Sequence, residues 1–385
     1  MSLKQIYRDY IYKIENKSQN IRIKKQWIME WKGVLFGKEG KRIRNVHFSH
    51  DEIEQIQDYW KEHYGKKIPL YWHKKYYAYS GKLDVRYFPE YLYTTKLETQ
   101  TNPDRIARIL CNKAYIEFLY AKVLAQYEDL TVPKCYGGCG GGCFYDGDRN
   151  PISRDRLVRQ LAAINQKTEC IIKPTVGESS GHGVDLIILQ NGQDCITGRD
   201  INDIFNQYKT DFIIQEKVKQ EAHYTALHPE SCNTLRIMTY RVEDTIKAAP
   251  PIMRIGRGKS HLDNAHAGGM YIALDESGIL SEYAHDCDMN TYEIHPDTNI
   301  KFEGYRVPMV YKAMDYAKKL HACLPDIGFA NWDFCINDKN QVVIIEGNLS
   351  CPGIWLFENT HGCGVFGDDT EYMVHRIGRY GKKNE

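Results

Sequence analysis

The sequence lacks the features that mark membrane proteins and nucleic-acid-binding proteins. No apolar run reaches the roughly 18–20 residues that a transmembrane helix needs, and the polar N-terminal segment contains no apolar signal-peptide stretch. The net charge is only +1, so the chain has no general attraction for polyanions. Internal repeats and a low-complexity tail are also missing. We therefore expect a cytoplasmic protein without an integral membrane span and without a nucleic-acid partner.

Cysteine, in contrast, is abundant, with 12 residues. Reduced thiols are the default in the cytoplasm. Cys135, Cys139 and Cys143 lie in the segment CYGGCGGGC, with three residues between successive cysteines. This spacing does not match the usual zinc motifs, and no fourth ligand is near in sequence. We interpret the segment as a flexible glycine loop that carries thiols, and a metal or cluster site is the alternative.

The chain is long enough for two or three domains. Residues 1–103 predict a mainly helical N-terminal region, in which Ser49 and Glu52 form the pattern of a capping box at the start of a helix. Residues 104–128 predict a second helical stretch, which the segment LTVP ends.

From about residue 168 the pattern changes to short β-rich runs, with two predicted helices near 200–208 and at 308–323. The second helix would place five apolar residues on one face: Val310, Ala313, Met314, Ala317 and Leu320. This alternation predicts an α+β fold with mainly antiparallel sheets rather than a regular βαβ repeat. The predicted strands are ECIIK (169–173), VDLIIL (184–189), DFIIQE (211–216), TLRIMTY (234–240), DFCIN (333–337) and QVVIIE (341–346).

Residues 171–184, IIKPTVGESSGHGV, have the composition of a phosphate-binding loop, but the lysine precedes the glycines, unlike the order in a Walker loop. Lys173 ends a β run, so its ammonium can reach phosphate oxygens as a point charge. Loop 175–183 can then fold over the phosphates and offer backbone N–H groups. Its small residues are Gly177, Ser179, Ser180, Gly181 and Gly183.

A second candidate site lies in the hairpin around the turn NDKN (337–340). A two-residue loop would pair residue 333 with residue 344, and a four-residue loop would pair it with residue 346. With either loop, Asp333, Glu346 and Asn348 face one side, because side chains alternate along a strand. Two carboxylates and an amide oxygen suit Mg²⁺ or Mn²⁺ shared with phosphates. A chance acidic pair on a solvated hairpin is the alternative.

The order of these features resembles the ATP-grasp superfamily over roughly residues 104–360. Lys113 resembles the first phosphate-contacting lysine of that superfamily, Lys173 resembles the second, and GESSGHG resembles its glycine-rich lid. The DFCI and IIEGN runs resemble its paired metal strands. The resemblance implies an ATP-grasp fold, in which two α+β subdomains grip ATP between antiparallel sheets. It places this region at 104–385, with a lid subdomain at about 134–216 and a metal-binding subdomain at about 217–385.

The segment IIQEKV resembles the strand and linker that hold adenine in the same superfamily. By that resemblance Glu216 precedes the linker, and the backbone groups of Lys217 and Val218 face the base. Glu221 would bind the ribose hydroxyls, although the superfamily's usual spacing is somewhat longer.

The segments SCNTLRIMTYR and PPIMRIGRGKSHLDNAHAGGMYI resemble the sugar-transfer associated ATP-grasp branch and, more distantly, amino-acid ligases. The resemblance implies that Arg236 and Arg254 approach the γ-phosphate and an acyl phosphate, and that Asn264 lines the same cleft. Surface salt bridges are the alternative for both arginines, and Arg257 competes with Arg254 for its role.

The implied activity is that of a carboxylate–amine ligase that uses ATP and Mg²⁺ or Mn²⁺ and forms an acyl phosphate. Its partners would be a small-molecule carboxylate and an amine, either of which could be sugar-linked, in the decoration of cell-surface polysaccharide or glycan. An ATP-grasp kinase that passes the γ-phosphate to a hydroxyl, an amide or a sugar is the alternative enzyme. A nucleotide-binding scaffold without catalysis and a cysteine-cluster metal protein are the alternatives from other classes.

Overall fold

The computed structural model of the chain describes residues 39–176 and 183–381, together with residues 5, 17, 20, 21, 23–33, 36 and 37 before them. Residues 23–33 are helical. The helices that follow in the N-terminal region are Gly40–Arg44, His50–Tyr64, Tyr71–Ser80, Glu90–Leu92 and Glu98–Thr101, with a π-helical turn at Tyr93–Leu97. The predicted capping box is confirmed at the second of these helices, where Ser49 accepts a hydrogen bond from the Glu52 N–H and the Glu52 side chain accepts one from the Ser49 N–H.

The helical stretch predicted at 104–128 is wrong in its continuity, because the structure divides it into short pieces. They are Asp104–Leu110, a 3₁₀ turn at Lys113–Tyr115, Ile116–Leu119 and Ala121–Leu124. The break lies at Asn112, whose extended backbone leaves the helix and whose side chain accepts from the Ala114 N–H. The Lys113 N–H then bonds to the carbonyl of Thr175 at 3.0 Å instead of to its own helix. This bond fixes Lys113 beside the end of the strand that carries Lys173.

The described residues form sixteen strands in two sheets. All of the paired strands run antiparallel except β1 and β16, which are parallel, so the predicted α+β class with mainly antiparallel sheets is confirmed. The strands are β1 Leu130–Thr131, β2 Cys135–Gly140, β3 Cys143–Asp146, β4 Pro151–Ile152, β5 Thr168–Pro174, β6 Asp185–Gln190, β7 Gln193–Asp194, β8 Phe212–Glu216, β9 Thr234–Val242, β10 Thr245–Ala248, β11 Ile252–Ile255, β12 Met270–Leu274, β13 Leu280–His285, β14 Thr291–Tyr292, β15 Phe329–Ile336 and β16 Val342–Asn348.

The smaller sheet contains seven strands in the order β4-β3-β2-β8-β5-β6-β7 and therefore spans residues 135–216 of the chain, apart from the undescribed 177–182. Helices Arg154–Ala162 and Ile201–Tyr208 cover one face, with buried contacts from Leu157, Leu161, Ile204 and Phe205. The opposite face carries Lys173, because Ile172 points into that helix-covered core and neighbouring residues of a strand alternate in direction.

The interpretation of CYGGCGGGC as a flexible loop is wrong, because the structure folds it into the hairpin of β2 and β3. Gly140 pairs with Cys143, which leaves a two-residue turn of Gly141 and Gly142 with φ values of 58° and 83°. Two positive φ values in a two-residue loop give the twist that an antiparallel hairpin needs, and glycine adopts them without strain. Cys139 is buried in the sheet core and Cys143 is exposed.

The larger sheet contains nine strands in the order β1-β16-β15-β9-β11-β12-β13-β14, with β10 paired to β9. Its first face packs on helix Val310–Ala322, whose buried residues include all five that the sequence placed on one face. The second face packs on the N-terminal helices and on helices Trp355–His361 and Thr370–Gly381, through Met238, Tyr240, Ile252, Tyr271 and Phe329. The remaining helices of the described chain are Ala222–Leu227 and 3₁₀ turns at Ala265–Ala267 and Gly367–Asp369. The predicted domain boundaries stay a prediction.

Candidate active site

The hairpin of β15 and β16 brings the predicted metal ligands together, but by a route that differs from both predicted loops. At the turn, Ile336 pairs with Val342, and this register would place Asp333 opposite Ile345. A register shift between Asp333 and Phe334 inserts Ile345 as an extra residue, so Asp333 pairs with Glu346. The β-bulge is therefore what places the two carboxylates on one face of the sheet.

Asn348 lies next to both carboxylates. Its amide Nδ2 donates to Asp333 Oδ2 at 3.2 Å and to Glu346 Oε1 at 3.3 Å. The predicted convergence of these three side chains on one face is confirmed by these contacts.

Asp333 is fully buried and is held by two arginines. Arg236 of β9 donates from Nε and Nη2 to the two oxygens of Asp333 at 2.8 and 2.7 Å, which is a bidentate pair. Arg254 of β11 places Nη2 3.2 Å from Asp333 Oδ2. The pairing of Asp333 with Arg236 across the sheet sets this geometry, because directly opposed residues share a face.

Arg254 has a further set of partners that the sequence reasoning missed. Its Nε and Nη2 donate to Thr234 Oγ1 at 3.0 and 2.9 Å, and its Nη2 lies 3.3 Å from Asp263 Oδ1. Asp263 also accepts from the Thr234 N–H at 3.0 Å. Burial alone would lower the pKa of Arg254, but Asp263 and Asp333 raise it above its ordinary value. Buried acidic partners of this kind could have been sought in the run SHLDN, which ends at Asn264.

Glu346 lies beside Asp333 but has lysine partners. Lys113 places Nζ 3.1 Å from Glu346 Oε2. Burial would raise the pKa of Glu346, but the charges of Lys113 and Lys173 hold that pKa well below its usual range. Burial would lower the pKa of Lys113, but its ion pair with Glu346 raises that pKa.

Lys173 lies in the same cluster and is 7% exposed. Burial and the neighbouring charge of Lys113 lower the pKa of Lys173 to about 8. With this pKa the amine is still mainly protonated at pH 7, but it binds its proton less tightly than an ordinary lysine, and further negative charge nearby would stabilise the ammonium form. An anion bound beside Lys113 and Lys173 would supply that charge.

The residues predicted around adenine and ribose have polar partners in this structure. Glu216 accepts from the Lys134 N–H at 2.9 Å. Lys217 donates its backbone N–H to the Glu169 carbonyl at 3.0 Å and pairs with the Glu169 carboxylate at 3.2 Å. Glu221 caps helix Ala222–Leu227 by accepting from the His223 N–H. Val218 lies in the same linker, between β8 and this helix.

The glycine-rich loop is described only at its ends. Gly177, Ser179, Ser180 and Gly181 lie outside the described residues, so their predicted contacts with phosphate stay a prediction. Gly183, on the far side of that gap, has a φ of 69° and accepts a hydrogen bond from Tyr208 at 2.8 Å through its carbonyl.

Asn264 lies directly after the Asp263 that pairs with Arg254. It caps the 3₁₀ turn Ala265–Ala267 by accepting from the His266 N–H at 2.8 Å. Its side chain therefore shapes the loop beside the arginines, and its predicted contact with a reacting group stays a prediction.

Cys111 is a further residue of the site that sequence reasoning missed. Its Sγ accepts from the Leu349 N–H at 3.2 Å, immediately after Asn348. Burial raises the pKa of the Cys111 thiol, so it packs here as a neutral side chain that fixes the chain after β16. No signal in the sequence distinguished it from the other eleven cysteines.

Comparison with protein families gives one match, to the family described as sugar-transfer associated ATP-grasp, over residues 92–372. No curated protein matches the chain. No helix among the described parts of the chain combines the length and the apolar character needed to cross a bilayer.

Several solved structures are similar to the chain at low identity. The D-alanine-D-alanine ligase from Coxiella burnetii is 9% identical, with 71% of this chain and 60% of that chain covered and a TM-score of 0.37. The D-cycloserine synthetase DcsG is 15% identical, with coverage of 72% and 73% and a TM-score of 0.40. The ADP complex of purK, an N5-carboxyaminoimidazole ribonucleotide synthetase, is 13% identical, with coverage of 63% and 45% and a TM-score of 0.35. The chain thus spans less than two thirds of the length of two of these three proteins.

Proposed function

The chain belongs to the sugar-transfer associated ATP-grasp family, and from that premise we propose that it is an ATP-dependent ligase that joins a carboxylate to an amine through an acyl phosphate. The observation that carries the proposal is the meeting of five charged groups from distant parts of the chain. Lys113 and Lys173 share one cluster with Glu346, and Glu346 lies beside an Asp333 that binds Arg236. This set combines phosphate-binding cations with metal-binding oxygens.

The two lysines would hold the phosphates of ATP. Lys113 is fixed through its backbone to the end of β5, so the two ammonium groups approach from one direction. The depressed pKa of Lys173 follows from burial beside another cation. Phosphate oxygens would stabilise the ammonium form of Lys173, and this stabilisation would contribute to the free energy of ATP binding.

Asp333 and Glu346 fit a hard divalent cation, because their carboxylates lie side by side on one face of the sheet. Asn348 lies beside them, and its amide, whose Nδ2 now donates to both carboxylates, would turn its oxygen toward the ion. These three side chains would hold Mg²⁺ or Mn²⁺, which neutralises phosphate charge when bound. In the structure the carboxylate oxygens are paired with Arg236, Arg254 and Lys113. The protein thus orients both carboxylates through its own cations.

Arg236 and Arg254 would offset the negative charge that grows as the γ-phosphate moves to the carboxylate. Both are anchored on central strands of the larger sheet, so their guanidinium groups need little reorganisation during the reaction. Loop 175–183 would close over the phosphates and exclude water, which protects the acyl phosphate from hydrolysis.

The proposed reaction has two steps. A carboxylate oxygen attacks the γ-phosphorus of ATP, the bond to the β–γ bridging oxygen breaks, and ADP leaves with the acyl phosphate formed. The nitrogen of a neutral amine then attacks the acyl carbon, and inorganic phosphate leaves with the former carboxylate oxygen. Starting from the ammonium form, one proton ends on phosphate and one is released to solvent. Family membership further supports a sugar-linked carboxylate or amine used in cell-surface polysaccharide or glycan decoration.

An ADP-release assay with Mg-ATP and hydroxylamine tests this function on a panel of amino acids, uronic acids and nucleotide sugars. Hydroxylamine captures an acyl phosphate as a hydroxamate, so ADP and hydroxamate in the same well would support the ligase and identify its carboxylate. ADP with a phosphorylated product and no hydroxamate would show instead that the protein is a kinase.

A further inference from the structure

The N-terminal region packs on the same face of the larger sheet that carries the candidate site. Met238 and Tyr240 of β9 contact the N-terminal helices, and Arg236 lies two residues earlier on the same side of that strand. The family match begins only at residue 92. Helices Gly40–Arg44, His50–Tyr64 and Tyr71–Ser80 therefore lie outside the matched region and border a site within it.

At this border four side chains from both regions form one cluster, which we name the border cluster: Glu39, Lys75, Tyr79 and Trp355. Lys75 Nζ lies 3.1 Å from Glu39 Oε2 and 5.5 Å from the centre of the Trp355 ring. Tyr79 donates to Glu39 Oε1 at 2.7 Å. An ammonium group is thus held between a carboxylate and an indole face, which is how proteins recognise organic cations.

The border cluster is connected to the arginines by direct contacts. Tyr271 pairs with Arg254 across β11 and β12, and its ring lies 5.7 Å from that of Trp355. On the other side, His266 follows Asn264 by two residues, and its ring centre lies 5.8 Å from that of Trp355. Local desolvation, with the charges of Lys75 and Arg236, lowers the pKa of His266. The charges of Lys75 in the border cluster and of Arg236 therefore both act on the His266 imidazole.

Glu30 and Glu90 are further carboxyl neighbours of Lys75 besides Glu39. Burial and the proximity of Glu30 raise the pKa of Glu90 to about 8, and burial also raises the pKa of Glu30. Because a pKa of about 8 leaves Glu90 largely protonated at neutral pH, Glu39 is the carboxyl group that pairs directly with the ammonium of Lys75. Near Arg236 and Arg254, in contrast, the positive charges lie where phosphate and the substrate carboxylate would bind.

We propose that the N-terminal region completes the substrate site, and that Glu39 and Trp355 bind the ammonium group of the amine substrate beside the arginines. This proposal rests on the ligase function proposed above and assigns the amine side of that reaction. Lys75 occupies the ammonium position in the free protein and competes with the substrate for Glu39. The substrate class is a primary amine that is cationic at neutral pH, as opposed to an alcohol or a second carboxylate.

The test compares amide formation with hydroxamate formation in E39Q, W355L and K75M. E39Q and W355L are expected to raise KM for the amine at least tenfold, whereas hydroxamate formation should fall far less, because hydroxylamine is small and uncharged. K75M is expected to lower the amine KM, since it removes the competing ammonium. The matched control is E62Q, the same substitution at an exposed position of helix His50–Tyr64, and it should leave both reactions unchanged.

Three outcomes would overturn the proposal: an unchanged amine KM in E39Q, an equal loss of amide and hydroxamate formation, or a raised carboxylate KM in K75M. A direct binding measurement keeps the test independent of turnover. With a non-hydrolysable ATP analogue present, calorimetry compares glycinamide with its uncharged analogue propionamide. The wild type should prefer glycinamide, and E39Q should lose that preference; equal preferences in both proteins would exclude the ammonium site. A wild type that forms no hydroxamate would contradict the ligase function alone, and the glycinamide measurement would still decide the site.

Discussion

The two carboxylates of the candidate site form a register pair, but they lie in different environments. Asp333 is fully buried, and two arginines bind its oxygens. Glu346 is 24% exposed at its side chain, and its close partner is a lysine. We call the first set, Asp333 with Arg236 and Arg254, the arginine side, and the second, Glu346 with Lys113 and Lys173, the lysine side.

The difference follows from the chemistry of the two cations. A guanidinium binds a carboxylate with two parallel hydrogen bonds in a fixed geometry, whereas an ammonium is a point charge on a flexible stem. The arginine side is therefore built as a rigid part of the sheet, and the lysine side can exchange its internal partner for a phosphate. Three predictions test this contrast, in order of decreasing effect.

The largest effect is expected from D333N compared with E346Q. Asp333→Asn leaves the partly buried Arg236 without its carboxylate and Arg254 with Asp263 alone, which should cost about 3–5 kcal/mol of unfolding free energy. Glu346→Gln should cost less, because its side chain and its lysine partner are partly exposed to solvent. Both variants should lose turnover by orders of magnitude. Urea denaturation and ADP release measure the two quantities, and an equal loss of stability in both variants would contradict the rigid arginine side.

The second effect concerns ATP affinity and isolates the lysine side. Lys173→Ala removes one charged contact to phosphate and should weaken ATP binding by roughly 10- to 100-fold, since charge-assisted hydrogen bonds contribute about 1.5–3 kcal/mol. The same change should not destabilise the free protein through loss of an ion pair, because burial beside Lys113 already disfavours the charged amine. Calorimetry with ATP is the measurement, and K167A, at an exposed lysine, is the control. An unchanged affinity in K173A would argue against the proposed phosphate site.

The smallest effect is a pH dependence of stability that comes from Lys173. Its pKa is about 8 in the folded protein and 10.5 in the reference state, so the unfolded chain binds more protons between these values. Stability should therefore rise with pH across this window, by about 1 kcal/mol between pH 8 and pH 9. Because other groups titrate here too, the quantity to measure is the difference in unfolding free energy between wild type and K173M. A difference that stays flat from pH 7 to pH 9 would show that Lys173 has an ordinary pKa.

Local patterns predicted much of the fold. The capping box at Ser49 and the apolar face of helix Val310–Ala322 are found as expected, because each depends on neighbours close in sequence. The six predicted strands are found as β5, β6, β8, β9, β15 and β16, whereas β7 and β10 to β14 were not predicted. Two predictions, the continuous helix at 104–128 and the flexible loop CYGGCGGGC, failed because these segments bond to distant parts of the chain. Residues 104–128 break at Asn112 because Lys113 bonds to Thr175 instead. CYGGCGGGC becomes a hairpin because β8 pairs with its first strand.

For the candidate site, the sequence identified the residue types and their order along the chain. Spacing and composition selected Lys173, Asp333, Glu346 and Asn348, because strands alternate their faces and because phosphate and magnesium require cations and hard oxygens. Lys113 was identified only by the resemblance to the ATP-grasp superfamily. The sequence placed Asp333, Glu346 and Asn348 on one face correctly but predicted the wrong loop length. In the structure the bulge at Ile345 places them there, and no local pattern predicts this bulge.

Tertiary structure alone decided which of these charges are partners. Arg236 and Asp333 are 97 residues apart, and their bidentate pair exists only because β9 and β15 are neighbours in register. The same holds for Asp263 beside Arg254 and for Lys75 beside Trp355. The sequence determines what each side chain can bind, since that is a property of its own atoms. Which partner it meets, how deeply both are buried and hence what pKa each has depend on sheet order, which is settled by the packing of the whole chain.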